Sequence, residues 1–286
     1  MNKQSTQSMA IDDSINPQAM RRIILSQSKR ANVGHIGSCL CVVEILAGLY
    51  SSVLRVARPD DPDRDRFVLS KGHSGLALYA AFALKGWLPQ EQLDTFCGDN
   101  TLLGVHPESA LLGVDFTTGS LGQGICIAAG AALAARLQGS QRRVFCLISD
   151  GECNEGSVWE AAMFAVQQKL SNLHVVIDLN GQQALALTRD VMDQSNLAER
   201  WRAFGWRTSE VDGHSIPDLV RALNSTDGAS PNLVIARTVF GKGVDYMEQG
   251  LPLSQTHLTV NPINWHYLPM SDKEYQLAMD QVENRV

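Results

Sequence analysis

The sequence predicts an α/β fold in which a parallel β-sheet is flanked by helices on both faces, and three observations carry that expectation. Two short, largely apolar runs, Arg143–Ile148 (RVFCLI) and Leu173–Leu179 (LHVVIDL), are bounded by polar residues, as buried parallel strands are. Between them Val158, Ala161, Ala162, Ala165 and Val166 recur at helical spacing, after a start rich in Asp150, Glu152 and Glu155, with Lys169 in the expected last turn. A strand, a crossover helix and a second parallel strand make a right-handed unit, so both strand ends open on one edge of the sheet.

A chain of 286 residues is long enough for one large α/β domain, or two small ones, and its 44% hydrophobic and 19% charged residues are an ordinary soluble-enzyme balance. The net charge of −6 provides no basic face for nucleic acid. No apolar run approaches membrane-spanning length, and the first sixteen residues are polar, so residues 1–16 are expected to be a disordered extension and the location cytoplasmic. Six cysteines contain no C-x-x-C pair and read as reduced core residues.

Taken in order, Pro17 starts a helix that runs through Lys29 and ends near the Asn32–Gly34 break. A glycine-flanked loop then carries His35 into an apolar helix whose only charge is Glu44, and a charged turn-rich loop follows at residues 57–66. Residues 67–70 (FVLS) form a short strand, and His73 lies at its junction with the next helix, where functional residues collect. After Pro89 a further amphipathic helix is expected to about Phe96, and His106 lies in a loop beyond it. Residues 117–124 (TTGSLGQG) open an Ala- and Gly-rich helix to Leu137, offering backbone donors to a phosphate or a ring amine. Residues 184–196 read as a polar loop, followed by helix, strand, turn and helix, then a buried strand at Leu233–Thr238. His174 and His214 read as structural, and a glycine-lysine loop at 240–244 leads through a long segment containing His257 to Trp265-His266-Tyr267.

The chemistry centres on the two strand ends. Asp150 closes the first strand and Asn180 the second, which puts a carboxylate and an amide carbonyl side by side, both hard oxygen donors suited to Mg²⁺ or Ca²⁺. Gly151 lets a phosphate approach the backbone at the helix start, where free N–H groups favour an anion. The competing reading is an ordinary βα turn with a capping Asp and a turn-forming Asn-Gly pair.

This stretch, an Asp-Gly followed at this interval by Asn, resembles the thiamine diphosphate signature of transketolases, with Ser149 in place of the usual glycine. The likeness extends to the segments around His35, His73, His106 and His266, and runs from about residue 17 to 284. It most closely matches the N-terminal subunit of two-component transketolases. It implies a thiamine-diphosphate-binding fold over 17–286, with metal held by Asp150, Asn180 and the Gln182 carbonyl. It further implies cofactor contacts from His73, Gly119, Ser120, Leu121, Asp150, Gly151, Glu155 and Asn180. His35, His73, His106 and His266 are implied to polarise or protonate substrate oxygens, with His266 rather than His257 as the active-site histidine.

By the same resemblance the enzyme moves a two-carbon ketol unit from a ketose, phosphorylated or similarly anionic, to an aldose. The pyrimidine-binding domain is expected on a separate C-terminal subunit, in an α2β2 assembly with Glu155 at the subunit contact. Two alternatives stay open: another thiamine diphosphate enzyme of the decarboxylating acyloin or acyl-transfer kind, and a non-catalytic regulatory homologue.

Overall fold

In the computed structural model, which describes residues 15–248 and 264–284, five strands build one all-parallel sheet. They are Arg66–Leu69 (β1), Val144–Ser149 (β2), Leu173–Leu179 (β3), Arg207–Asp212 (β4) and Asn232–Arg237 (β5), in the spatial order β1-β2-β3-β5-β4. The predicted fold class is the observed one. Successive strand residues face opposite cores: Phe145 and Leu147 join one apolar cluster, while Val144, Cys146 and Ile148 join the other.

Helices cover both faces. On the first lie α1 (Pro17–Ala31), α2 (Ile36–Leu40), α3 (Val43–Gly48) and α4 (Gly75–Leu84). A four-residue helix, α5 (Gln90–Leu93), follows in place of the longer one expected. The second face is built by α6 (Gln123–Leu137), α7 (Gly156–Gln167) and, beyond the short α8 (Thr188–Val191), α9 (Leu197–Ala203). The first face is completed by α10 (Ile216–Asn224), the one-turn α11 (Asn264–Tyr267) and α12 (Asp272–Asn284).

Several boundaries differ from expectation for local reasons. Ile15 is buried and Asn16 caps α1 by accepting from the Ala19 N–H, so these two residues of the predicted extension are part of the fold. Between β2 and α7 a tight 3₁₀ turn, Gly151–Asn154, intervenes, which turns Glu152 inward instead of leaving it on a helix start. Lys169 lies past the end of α7 in a left-handed conformation, not in its last turn. The polar loop at 184–196 contains α8.

The expectation about apolar length also needs correction. Ile36–Val53 is a continuous helical stretch long and apolar enough to cross a membrane, yet 94% of it is enclosed by the fold. It is a core element. Its one charge, Glu44, is paired with Arg21 at 2.7 Å and with His214 Nδ1 at 2.9 Å, while His214 Nε2 accepts the Val239 N–H. All six cysteines are free; four are buried as expected, whereas Cys97 is half-buried and Cys126 exposed.

The parallel arrangement sends every strand's C-terminal end to one edge. Ser70 and Lys71 leave β1 there, Asp150 leaves β2, Asn180 leaves β3 and Thr238–Phe240 leave β5. That edge is where an open α/β sheet binds ligands.

Candidate active site

The strand tips are adjacent, as the spacing of Asp150 and Asn180 predicts. β2 and β3 pair through Ser149 opposite Asp178, and the fully buried Asp150 carboxylate accepts the Gly181 N–H at 3.1 Å. Its other partners are the Gly151 N–H at 2.8 Å and the Thr188 hydroxyl at 2.6 Å. Gln194 adds a bond from its Nε2 to the Asp150 carbonyl at 2.7 Å. The 181–196 segment is therefore latched onto Asp150 from both ends of α8, a role its polar composition does not reveal. Burial pushes the Asp150 carboxyl up to about 6, with the nearby Asp178 charge adding to the rise against the Thr188 and Gly151 bonds.

Asn180 Oδ1 accepts the Gln182 N–H at 2.9 Å, and Asn180 Nδ2 donates to Asp178 Oδ2 at 2.8 Å. Gln182 pairs with Leu187 in an isolated antiparallel bridge that closes the same loop. Among the described residues no group of three or more His, Cys, Asp or Glu side chains is spaced to hold a metal. The expected ligands, the Asp150 carboxylate, the Asn180 amide oxygen and the Gln182 carbonyl, include only one side chain of those four types, so they do not form such a group.

Three of the four loop histidines converge. The His35 ring lies 5.4 Å from His73 and 5.5 Å from His266, and His73 lies 5.5 Å from His266, centroid to centroid. Two glycines make this possible. A Cβ on Gly34 would lie 2.1 Å from the Tyr267 carbonyl, and one on Gly37 would lie 2.1 Å from the Phe240 ring. With both side chains absent, the His35 N–H reaches the His266 carbonyl at 3.2 Å, and Phe240 stacks against the His266 ring.

His106, the fourth, is exposed and stands over the glycines at 72 and 119; its Cδ2 would be 3.1 Å from a Cβ at Gly72. Ser120 and Leu121 are exposed and Gly119 is half-buried, at the loop that opens α6. Glu155 is exposed and immediately precedes α7, beside Gly122. His174, read as structural, is buried and stacked on Phe145 at 4.6 Å. His257 lies outside the described residues.

The histidine cluster is uncharged at neutral pH. Burial first, then the His106 and Lys71 charges, lower His35 to about 4; burial, His35 and Lys71 do the same to His266. Burial also drives His73 well below its ordinary value. Buried Nδ1 atoms of His35 and His266 have no hydrogen-bond partner among the described residues, so each ring keeps a donor or acceptor for something entering the cleft. A ¹⁵N-edited titration should find both rings neutral at pH 6 and charging near pH 4; midpoints at 6.5 would show that the cluster does not form. Because their folded values lie below the unfolded 6.5, these rings contribute stability that is full above pH 6.5 and lost as pH falls toward 4.

Two buried acidic residues escaped the sequence reading. Asp178, inside β3, is fully enclosed and ion-paired with the equally enclosed Lys71, while Thr238 and Cys41 also donate to it. Burial alone would raise its carboxyl, but the Lys71 charge and bond hold it below the usual range. A single carboxylate in an otherwise apolar strand was the available signal, since such a group is buried only with a partner. Glu152 accepts the Gly122 N–H at 3.0 Å, the Ser149 N–H at 2.9 Å and the Ser70 hydroxyl, joining three elements at the same edge.

Comparison with known proteins identifies the family and the fold. The family model described as "Transketolase, thiamine diphosphate binding domain" matches residues 13–260. The chain is 40% identical over 245 residues to the 6-deoxy-6-sulfo-D-fructose transketolase subunit SqwG of a Clostridium species, covering 84% of this chain and 89% of that protein. It is 36% identical over 261 residues to an apulose-4-phosphate transketolase subunit of Phocaeicola vulgatus, covering 90% and 89%. Among solved structures, transketolase from Campylobacter jejuni superposes with a TM-score of 0.83 at 28% identity, over 95% of this chain and 43% of that one. With the family model spanning most of the chain and the fold in agreement, the chain belongs to the transketolase family, as its thiamine diphosphate binding domain.

Proposed function

We propose that this chain is the diphosphate-binding subunit of a two-part transketolase, which moves a two-carbon ketol unit from a ketose, phosphorylated or similarly anionic, to an aldose. The observation that carries this reading is the convergence of three neutral histidines at the sheet edge that also holds Asp150 and Asn180. Relatives whose length this chain nearly matches are named as transketolase subunits, which supports a separate pyrimidine-binding C-terminal partner. The sugars in their names, one sulfonated and one phosphorylated, support an anionic ketose.

The residues fit the implied cofactor. Asp150, Asn180 and the Gln182 carbonyl would hold Mg²⁺ or Ca²⁺, and the metal would hold the diphosphate beside Gly151 and the Gly119, Ser120 and Leu121 backbone. When bound, thiamine diphosphate supplies the nucleophilic carbon that accepts and releases the ketol unit.

The protein's own groups do the remaining work. His35, His73 and His266, with His106 at the rim, polarise substrate oxygens and pass protons, which as neutral imidazoles they do without repelling one another. A positioned acid-base group of this kind contributes roughly 10² to 10⁴-fold. In this reading Glu155, exposed at the start of α7, would lie at the subunit contact of an α2β2 assembly in the cytoplasm.

The test mixes this chain with its pyrimidine-binding partner, Mg²⁺ and thiamine diphosphate, and follows two-carbon transfer from a panel of phosphorylated and sulfonated ketoses. Transfer by the mixture and not by the separated chains is expected. Carbon dioxide release from a 2-oxo acid, without ketol transfer, would replace this reading with the decarboxylating one, and inactivity of the assembled complex would favour a regulatory role.

A further inference from the structure

We propose that Gln183 is a ligand of the cofactor's diphosphate: its side-chain NH₂, oriented by a series of amides that starts at the Asp150 carbonyl, donates to a phosphate oxygen beside Gly151. The inference rests on the reading that the diphosphate lies beside Gly151, and it adds a residue to that site. Gln183 is half-buried in the turn that follows Asn180. Its side chain packs against Gly151, where a Cβ would lie 3.6 Å from the Gln183 Cδ and Cγ.

The amides of Gln194, Asn154 and Gln183 lie in series, and each has one allowed orientation. The Asp150 carbonyl only accepts, so the end of Gln194 that lies 2.7 Å from it is the Nε2 donor. The same Nε2 lies 3.0 Å from Asn154, which must present Oδ1 to it. Asn154 then turns Nδ2 toward Gln183, 3.0 Å away, and Gln183 must answer with Oε1. Turning any one of the three over would set N–H against N–H, or oxygen against oxygen, at a neighbour. Gln183 is left with its NH₂ pointing out of the series.

That Nε2 is enclosed and has no hydrogen-bond partner among the described residues, and the same holds for Oε1 at the opposite, Gln194 end of the series. A buried donor without an acceptor is costly, and a ligand that brings the acceptor accounts for it. Of the two open ends only the donor suits an anion. The cation's expected ligands at this edge, from Asp150, Asn180 and the Gln182 carbonyl, are all oxygens and hold the metal side of a metal–diphosphate pair. Phosphate oxygens turned away from the metal need N–H donors, and Gln183 supplies one from the residue next to a metal ligand. An NH₂ does not bind a cation, so this amide is not a further metal ligand.

The discriminating experiment titrates inorganic pyrophosphate, and separately thiamine diphosphate, each with Mg²⁺, into the full chain assembled with its partner subunit, and reads affinity by calorimetry with circular dichroism as the control for folding. A hydrogen bond to a charged acceptor is worth roughly ten- to a hundredfold in affinity, so Gln183→Met, which keeps the side chain's length and removes the donor, should weaken both ligands by about tenfold or more. Asn154→Asp is the sharper variant. It keeps a hydrogen bond between 154 and Gln183, but residue 154 then only accepts, so the Gln183 NH₂ turns toward it and is lost to the phosphate. It should also weaken both ligands by about tenfold, yet cost no more than about threefold further in a Gln183→Met background.

Wild-type affinity in Gln183→Met would overturn the assignment. Loss in Gln183→Met with none in Asn154→Asp would overturn it too, since the amide bond would then be a latch of the turn and nothing more. Equal losses from Asn154→Asp in both backgrounds would be the effect of its charge alone, against the oriented donor. Weakened thiamine diphosphate with unchanged pyrophosphate would put the contact away from the diphosphate. Binding of neither ligand by the wild-type assembly, or binding indifferent to Asp150→Ala, would instead overturn the cofactor site itself.

Discussion

Asp150→Ala is expected to weaken cation-dependent thiamine diphosphate binding by at least about a hundredfold and to abolish ketol transfer by the assembled enzyme. Removing a group that merely orients a metal ligand costs roughly 10- to 100-fold in affinity, so removing the carboxylate ligand costs at least the upper end of that range. No neighbouring acid replaces it, because Asp178 is committed to Lys71 and Glu152 to Ser70, Gly122 and Ser149. The substitution also frees the Thr188 hydroxyl and the Gly181 N–H, so the 181–196 segment loses its anchor.

Thr188→Val separates the two effects, since it deletes the anchor but keeps the carboxylate. It should weaken binding by no more than roughly tenfold, as an orienting partner does. Calorimetric titration of Mg²⁺ and thiamine diphosphate into the three proteins, with far-ultraviolet circular dichroism as a control for folding, provides the comparison. Wild-type affinity in a folded Asp150→Ala protein would mean that the cation sits elsewhere.

What could be read from the sequence follows from range. The strands were legible because burial on both faces writes a local signature, and the runs at 143–148 and 173–179 needed no knowledge of distant residues. Asp150 and Asn180 were legible because a βαβ unit converts a sequence interval into adjacency at one edge. The histidines were individually visible as loop residues. Their meeting was not, because it depends on Gly34 touching Tyr267 and Gly37 touching Phe240, contacts between segments more than two hundred residues apart.

Lys71, Asp178 and Glu152 were missed for a related reason. Each looks like an ordinary strand-end or helix-start charge until the neighbouring strand supplies its partner. Thr188 was hidden by composition, since a polar loop and a polar loop latched to a buried carboxylate have the same residues.

Glu152→Ala is expected to be among the costliest stability changes at this edge. The carboxylate satisfies the backbone N–H groups of Gly122 and Ser149 and the Ser70 hydroxyl, all in a region closed to water. Leaving a buried donor without a partner costs about 1–3 kcal/mol, so three together, partly relaxed, amount to about 3–5 kcal/mol. Against a total stability of about 5–15 kcal/mol this is a large fraction. At roughly 2–4 °C per kcal/mol for a chain of this size class, Tm should fall by about 10 °C.

Glu152→Gln distinguishes the hydrogen bonds from the charge. Burial raises the Glu152 carboxyl above its ordinary value, against the bonds that favour the ionised form, so the negative charge itself is not what the site rewards. Glutamine retains one acceptor oxygen for Ser70 and Gly122 and turns its NH₂ toward the Ser149 N–H, so a loss of about 1–2 kcal/mol is expected, the worth of one unsatisfied donor. Thermal unfolding followed by circular dichroism therefore should rank wild type, glutamine and alanine in that order. Alanine within about 1 kcal/mol of wild type would show that water reaches the three donors and that the knot joining β1, β2 and the start of α6 is not closed.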